Sequence, residues 1–314
     1  MKNYKKKLIT AIKLSITLIP IYLILKNIDL NITFGLISNI GLPYLFSAMA
    51  VLLVQILVMT IRWKIVLDTL SIEVSFMNII SIFWIGLFFN QILPTSVGGD
   101  AIRGHYLYQR GYSFAQASQG VIFDRIIGLI ALVALVIITL PLGLQLVDSD
   151  NARWGLISII ITFVFALMLL LNINIISSRF QKWNLINKFS SVMTVVRDSI
   201  FSLNPGFKLL LISILVHFLS ILTMMILSIG MQLDLKIIGL VLIVPVVTLL
   251  MVLPISIAGW GIREGAMIIG LGFIGAGPEN AFALSLLFGF LMLSIAIPGG
   301  AIWIVSSKLG GTHD

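Results

Sequence analysis

The sequence has no cysteine and only three histidines, and lysine, arginine, aspartate and glutamate together make up 10% of its 314 residues. Without cysteine there is no disulfide framework and no thiolate metal site. The histidines, His105, His217 and His313, are scattered, which argues against a histidine metal centre. A soluble domain carries about 25% charged residues, so the scarcity of charge removes the chain from that class. What fills the space is apolar: 59% hydrophobic residues and a mean hydropathy of +1.14. The expectation is an all-α, polytopic helical membrane protein forming one membrane domain over residues 1–314. The formal charge of +8 does not indicate nucleic acid as a partner, because the basic residues flank apolar runs, as orientation by the positive-inside rule requires.

One stretch occurs twice. Leu93–Gly104 reads LPTSVGGDAIRG and Leu253–Gly265 reads LPISIAGWGIREG. Aligned without a gap, Leu93, Pro94, Ser96, Gly99, Ile102 and Arg103 fall on Leu253, Pro254, Ser256, Gly259, Ile262 and Arg263. Proline removes a backbone donor and glycine admits unusual dihedrals, so each copy is expected to break a helix, through Pro94, Gly98 and Gly99 and through Pro254, Gly259 and Gly261. Irregular backbone at membrane depth must be buried in protein or face a wet cavity. Two such breaks at corresponding places in two halves point to a transporter's substrate site. The plainer alternative is a pair of surface loops.

Apolar segments predict spans at Leu8–Leu25, Pro43–Met59, Phe76–Phe89, Val121–Leu140, Trp154–Leu171, Phe207–Ile229, Ile237–Val252 and Ala281–Val305, with short helices at Ala101–Arg110 and Ala266–Ile274. Leu8–Leu25 is longer than a signal-peptide core and lacks a small-x-small cleavage site, so it reads as an uncleaved span starting in the cytoplasm. Residues 172–203 are polar and read as cytoplasmic surface helices. If each motif and its following helix return as a hairpin, the loops holding Asp29, Asp148, Asp150 and Asp234 lie outside and both termini inside. The two halves are then inverted repeats, each with a Pro/Gly-broken or re-entrant helix. If each break is a single crossing, the charge bias fails. Trp63, Trp84, Trp154, Trp183 and Trp303 fall near the predicted interfaces, as an aromatic belt does.

A charge at the centre of a bilayer costs about 2.5–3.5 kcal/mol on insertion scales, so charges inside apolar segments are candidates for function. Asp100 and Arg103 are one helical turn apart. Arg263 and Glu264 open the element after the second break. Asp124 and Arg125 begin the Val121–Leu140 span, and as neighbours on a helix each needs a partner elsewhere. One reading makes these residues internal salt bridges, with Asp124 holding a motif arginine. The other gives the guanidiniums of Arg103 and Arg263 to a phosphate, aided by backbone N–H groups at the breaks, with Asp100, Asp124, Arg125 and Glu264 as partners. Asn90, Gln91, Ser96, Gly98 and Gly99 would line the polar groove. His217 suits a helix-to-helix hydrogen bond better than a proton relay.

The segments NQILPTSVGGDAIRGHYL, SFAQASQGVIFDRIIGLIAL and LPISIAGWGIREGAMIIG together resemble the flippase-like transmembrane family of lysylphosphatidylglycerol synthase, from Arg62–Trp63 to Pro298–Gly300. The resemblance implies a lipid translocator at the cell membrane, handling an aminoacylated phospholipid or another anionic or polar lipid. A homodimer and a separate lipid-modifying enzyme are compatible partners, and no cofactor or metal is expected. The chain ends at Asp314 without the synthase's acyltransferase-like domain, so aminoacyl transfer is not expected of it. GGDAIRG lacks the Gly-Lys-Ser/Thr ending of a nucleotide-binding P-loop. Rival readings are a polyprenyl-phosphate or glycolipid carrier, a lipid-headgroup enzyme using Asp100 or Asp124 as base, and a small-solute transporter.

Overall fold

Short polar residues start several of the helices. Asp29 accepts the Asn31 and Ile32 N–H groups, Ser149 accepts that of Ala152, and Ser113 forms a reciprocal capping box with Gln116, each satisfying donors that a helix start leaves unpaired. In a computed structural model, residues 14–15, 18–93, 97–147, 149–173, 184–253, 256 and 258–309 are described. Among them all regular structure is helical. The helices are α1 (Leu18–Asn27), α2 (Leu30–Ser38), α3 (Leu42–Thr69), α4 (Phe76–Ile92), α5 (Gly98–Gln109), α6 (Phe114–Leu144), α7 (Asp150–Leu171), α8 (Asn184–Phe201), α9 (Leu203–Gly230), α10 (Ile237–Met251), α11 (Ile262–Gly272) and α12 (Pro278–Leu309). Of the predicted first span, Leu8–Leu25, residues 14–15 and 18–25 are described, the latter within α1, and the others lie outside the described residues.

Among the described residues, α3, α6, α7, α9 and α12 are each long and apolar enough to cross a bilayer, and the α1–α2 pair, bent by 93°, makes a sixth candidate. The protein is thus a multi-pass helical membrane protein. Helices satisfy their own backbone groups, which is what a hydrocarbon environment demands. Two boundaries differ from the sequence expectation. The second span does not stop before Arg62: α3 continues through the Arg-Trp-Lys triplet to Thr69. The span holding Asp124 and Arg125 begins at Phe114, so that pair lies ten and eleven residues inside α6 rather than at its start.

Helices α4 and α5 form an antiparallel hairpin. The Gly99 N–H donates to Asn90 Oδ1 at 2.8 Å, and further along, Arg103 crosses Gly86 and reaches Phe83. Position rises on α5 as it falls on α4. Helices α10 and α11 do the same: Gly259 meets Met251, Gly270 meets Ile243, and Gly239 meets Ile274. The packing of α2–α6 corresponds to that of α8–α12 at several pairs. Helix α3 lies along α9; α4 packs on α12 as α10 packs on α6; α5 packs on α6 as α11 packs on α12; α2 packs on α12 as α8 packs on α6. Helix α7, between the halves, touches α6 and α8.

Glycine makes these contacts close. A Cβ at Gly99 would lie 1.9 Å from the Gly86 carbonyl oxygen, one at Gly143 2.2 Å from Leu242, and one at Gly299 2.1 Å from the Trp84 carbonyl oxygen. Gly143 and Gly299 each follow a proline inside a long helix, Pro141 in α6 and Pro298 in α12. Each pair marks where a long helix crosses the other half's hairpin.

Candidate functional site

The charged residues of the first half assemble into one alternating chain. Arg62 in α3 donates through Nε to Asp124 Oδ1 at 2.8 Å, and Arg103 in α5 donates through Nη2 to Asp124 Oδ2 at 2.9 Å. Nη1 of Arg103 reaches Asp100 Oδ1 at 3.3 Å, and Arg125 Nε donates to Asp100 Oδ2 at 2.6 Å. The order is Arg62, Asp124, Arg103, Asp100, Arg125, so each carboxylate stands between two guanidiniums. The inner end is closed by Ser213 of α9, whose Oγ accepts from Arg62 Nη1 at 3.2 Å. Three guanidiniums against two carboxylates leave one net positive charge.

Helix geometry explains the assembly. Asp100 and Arg103 share a face of α5, while the adjacent Asp124 and Arg125 on α6 divide these two between them, Asp124 taking Arg103 and Arg125 taking Asp100. Close packing of α4, α5 and α3 completes it. The Arg103 guanidinium lies 4.0 Å from the Trp63 ring centre and 4.7 Å from that of Phe83, a cation–π arrangement that favours a desolvated arginine. Arg103 is 4% exposed, and among the described residues its Nε has no partner. Trp63 is fully buried and donates to the Gly120 carbonyl, so it belongs to this core rather than to an interfacial belt. Trp84 likewise donates inward, to the Ile295 carbonyl. Trp154 and Trp303 are exposed, and Trp183 lies outside the described residues.

The second half builds a smaller, closed group. Glu264 Oε1 accepts from Arg263 Nε and Nη2 at 3.0 and 2.6 Å and from Ser285 Oγ at 3.3 Å, while Oε2 accepts the Gly261 N–H at 2.6 Å. That carboxylate therefore caps α11 and neutralises its arginine at once. Arg263 is 4% exposed and stacks 4.7 Å from the Trp260 ring centre. A Cβ at Gly289 would lie 2.0 Å from Arg263 Nη2, and one at Gly128 would lie 3.1 Å from Arg62 Nη1. In both halves a glycine of the long helix makes room for a buried guanidinium.

The structure brings together Asp100, Arg103, Asp124 and Arg125, and separately Arg263 and Glu264. It commits the Arg103 and Arg263 forks to carboxylates instead of leaving them open. Asn90 holds the start of α5, and Gln91 is half-buried at the end of α4. Pro94, Ser96 and Pro254 lie outside the described residues. Gly259 and Gly261 have φ of +81° and +82°, with Ala258 at +50°, so the second motif is a genuine backbone break. Gly98 and Gly99 are different: both sit in the first turn of α5, and they serve close approach, of Gly99 to Gly86 and of Gly98 to Leu93. His217 bonds the Gly128 carbonyl at 3.0 Å, linking α9 to α6.

Arg62, Ser213 and Ser285 were not legible as site residues. Their partners lie far along the chain, and the Arg-Trp-Lys triplet looks like the flank of a span. A separate apolar cleft of about 340 Å³ opens between the first turns of α7 and Phe273, lined by Ala152, Gly155, Leu156 and Ile159. It lies towards the opposite end of α6 from the charge chain. Among the described residues no group of three or more His, Asp or Glu is placed to hold a metal.

Comparison with known proteins agrees with a membrane protein. The chain is 26% identical over 180 residues to a UPF0104 membrane protein of Pyrococcus horikoshii, covering 56% of this chain and 50% of that protein. It is 29% identical over 99 residues to one from Methanocaldococcus jannaschii, covering 31% of this chain and 30% of the other. A third, from Methanothermobacter thermautotrophicus, is 23% identical over 281 residues, covering 80% of this chain and 82% of the relative. The first two matches thus span half or less of those relatives' lengths. The family model for the lysylphosphatidylglycerol synthase TM region matches residues 10–299, and with nearly the whole chain covered, the protein belongs to that family.

Proposed function

We propose that the protein is a translocator of anionic polar lipids, carrying the headgroup between leaflets past two helical hairpins while the acyl chains stay in the bilayer. The observation that carries this reading is the alternating charge chain with its surplus positive charge, strung from the membrane-length helices α3 and α6 onto the short α5 of the first hairpin. Isolated charges are expensive there, and a net cation in such a place suits an anion that arrives with its own lipid anchor. The corresponding contacts of α2–α6 and α8–α12 support two inverted halves, with one hairpin entering from each side. On that topology both termini are cytoplasmic, residues 172–203 face the cytoplasm, and the cell membrane is the site of action.

The chemistry required is binding and movement rather than bond-making, so the protein is read as a transporter and not an enzyme. A separate lipid-modifying enzyme supplying or consuming the cargo is a fitting partner, and assembly as a homodimer is compatible. The test is reconstitution in vesicles with a headgroup-labelled phosphatidylglycerol and unlabelled competitors. Anionic phospholipids and a polyprenyl phosphate should slow movement of the label, and a diacylglycerol of equal chain length should not. Equal competition by diacylglycerol would remove the charge chain from the mechanism.

A further inference from the structure

The charge chain has one closed end and one open end. Arg62 is buried and finished by Ser213, whereas among the described residues Arg125 uses only its Nε, on Asp100, and its side chain is 52% exposed. Its neighbours from Gly120 to Ile127 on α6 are buried or half-buried. Arg125 is thus the exposed member of this buried stretch, tied at one point to a carboxylate that is itself 5% exposed. It stands eleven residues beyond Phe114, about 16 Å along the helix, well inside the membrane-length segment.

Two contacts show what lies opposite. Gly143 of α6 meets Leu242 of α10, and Leu132 and Val133 of α6 pack on Leu249. These helices run antiparallel, so Leu253, four residues past Leu249, comes about 6 Å further to the level of Gly128 and Leu129, one turn from Arg125. Val252 and Leu253 are exposed, as is Val97 at the start of α5. Arg125 and the C-terminal end of α10 therefore stand at neighbouring levels along α6.

From this geometry we infer that Arg125 is the contact residue for a phosphate group, bound through its two Nη nitrogens, and that Asp100 is its positioning residue. Holding Nε on Asp100 leaves the opposite edge of the guanidinium, with its parallel N–H pair, to receive phosphate bidentately. An anion there extends the alternation by one member, and a singly charged phosphodiester cancels the surplus charge. Arg103 and Arg263, with their forks occupied, are scaffold. The ligand class is a phosphate mono- or diester. This assignment rests on the translocation reading for its biological meaning but not for its geometry.

The test is equilibrium binding by the purified full-length protein in neutral detergent, using dioctanoyl phosphatidylglycerol, inorganic phosphate and dioctanoylglycerol as probes. Wild type should bind the phosphatidylglycerol and not the dioctanoylglycerol. Arg125→Gln should weaken that binding at least tenfold, Arg125→Lys should fall between, and Arg110→Gln, a surface cation at the end of α5, should match wild type. Asp100→Asn should weaken binding while Arg125 remains present, since the fork is no longer aimed. Unchanged unfolding midpoints for the two Arg125 variants separate lost binding from lost folding. If inorganic phosphate binds as well and depends on Arg125, the site stands with free phosphate as its ligand. Arg125→Gln binding phosphatidylglycerol as tightly as wild type, or dioctanoylglycerol binding equally well, overturns the assignment. Arg125-dependent binding without leaflet exchange in vesicles refutes translocation and leaves the site intact.

Discussion

Asp124→Asn is the substitution that most sharply probes the scaffold. The carboxylate is 1% exposed and shared between Arg62 and Arg103, at 2.8 and 2.9 Å. Asparagine keeps the volume, loses the charge, and turns an N–H₂ group towards a guanidinium. Arg62 is left with Ser213, and Arg103 with Asp100 at the longer distance of 3.3 Å. Breaking a buried ion pair by removing one partner costs about 3–5 kcal/mol, because the other charge stays buried. Folded domains are stable by about 5–15 kcal/mol in total, so a large share of the stability should go. The assay is denaturant unfolding in mixed micelles, followed by circular dichroism. Adding Arg62→Gln to Asp124→Asn removes one stranded cation, and the double variant should lose less than the sum of the singles. A single variant within about 0.5 kcal/mol of wild type, the range of an ordinary surface substitution, would refute the buried-pair reasoning.

Other perturbations follow from the same contacts. Gly99→Ala should destabilise by about 1–3 kcal/mol through overpacking against the Gly86 carbonyl, whereas Gly155→Ala, with nothing within 4 Å of the new Cβ, should be neutral or slightly stabilising; thermal midpoints of the pair decide. Glu264→Gln should cost about as much as Asp124→Asn, near 3–5 kcal/mol, because Glu264 is the only ion-pair partner of Arg263 among the described residues; an unfolding midpoint like that of wild type would contradict it. In the cysteine-free chain, Ser149→Cys should react with an impermeant thiol reagent in intact cells and Ser191→Cys should not. The reverse pattern would overturn the inverted topology.

The membrane class and the duplicated motif were readable because they are local properties of the chain. Apolar runs, the duplicated Leu-Pro-x-Ser motif and the one-turn spacing of Asp100 and Arg103 need no partner to be seen. Arg62 was hidden because a basic-aromatic triplet after an apolar run reads as a span's end, and its partner Asp124 is 62 positions away. The depth of Asp124 and Arg125 was recoverable: Ser113-Phe-Ala-Gln116 is a capping-box pattern, and it moves the start of α6 back to Phe114. Gly98 and Gly99 show the opposite limit. Glycine next to a break suggests unusual dihedrals, but only the packing reveals that these two are there so that α4 and α5 can touch.

The central claim, that anionic lipid crosses the bilayer on this protein past Arg125, is tested most directly by one rate. Headgroup-labelled phosphatidylglycerol is placed in both leaflets of vesicles, and an impermeant reductant quenches the outer leaflet. With wild-type protein the inner-leaflet signal should decay to near zero, while in protein-free vesicles and with Arg125→Gln it should persist. If wild-type and protein-free vesicles protect the same fraction for the same time, the protein does not translocate this class of lipid and the account fails.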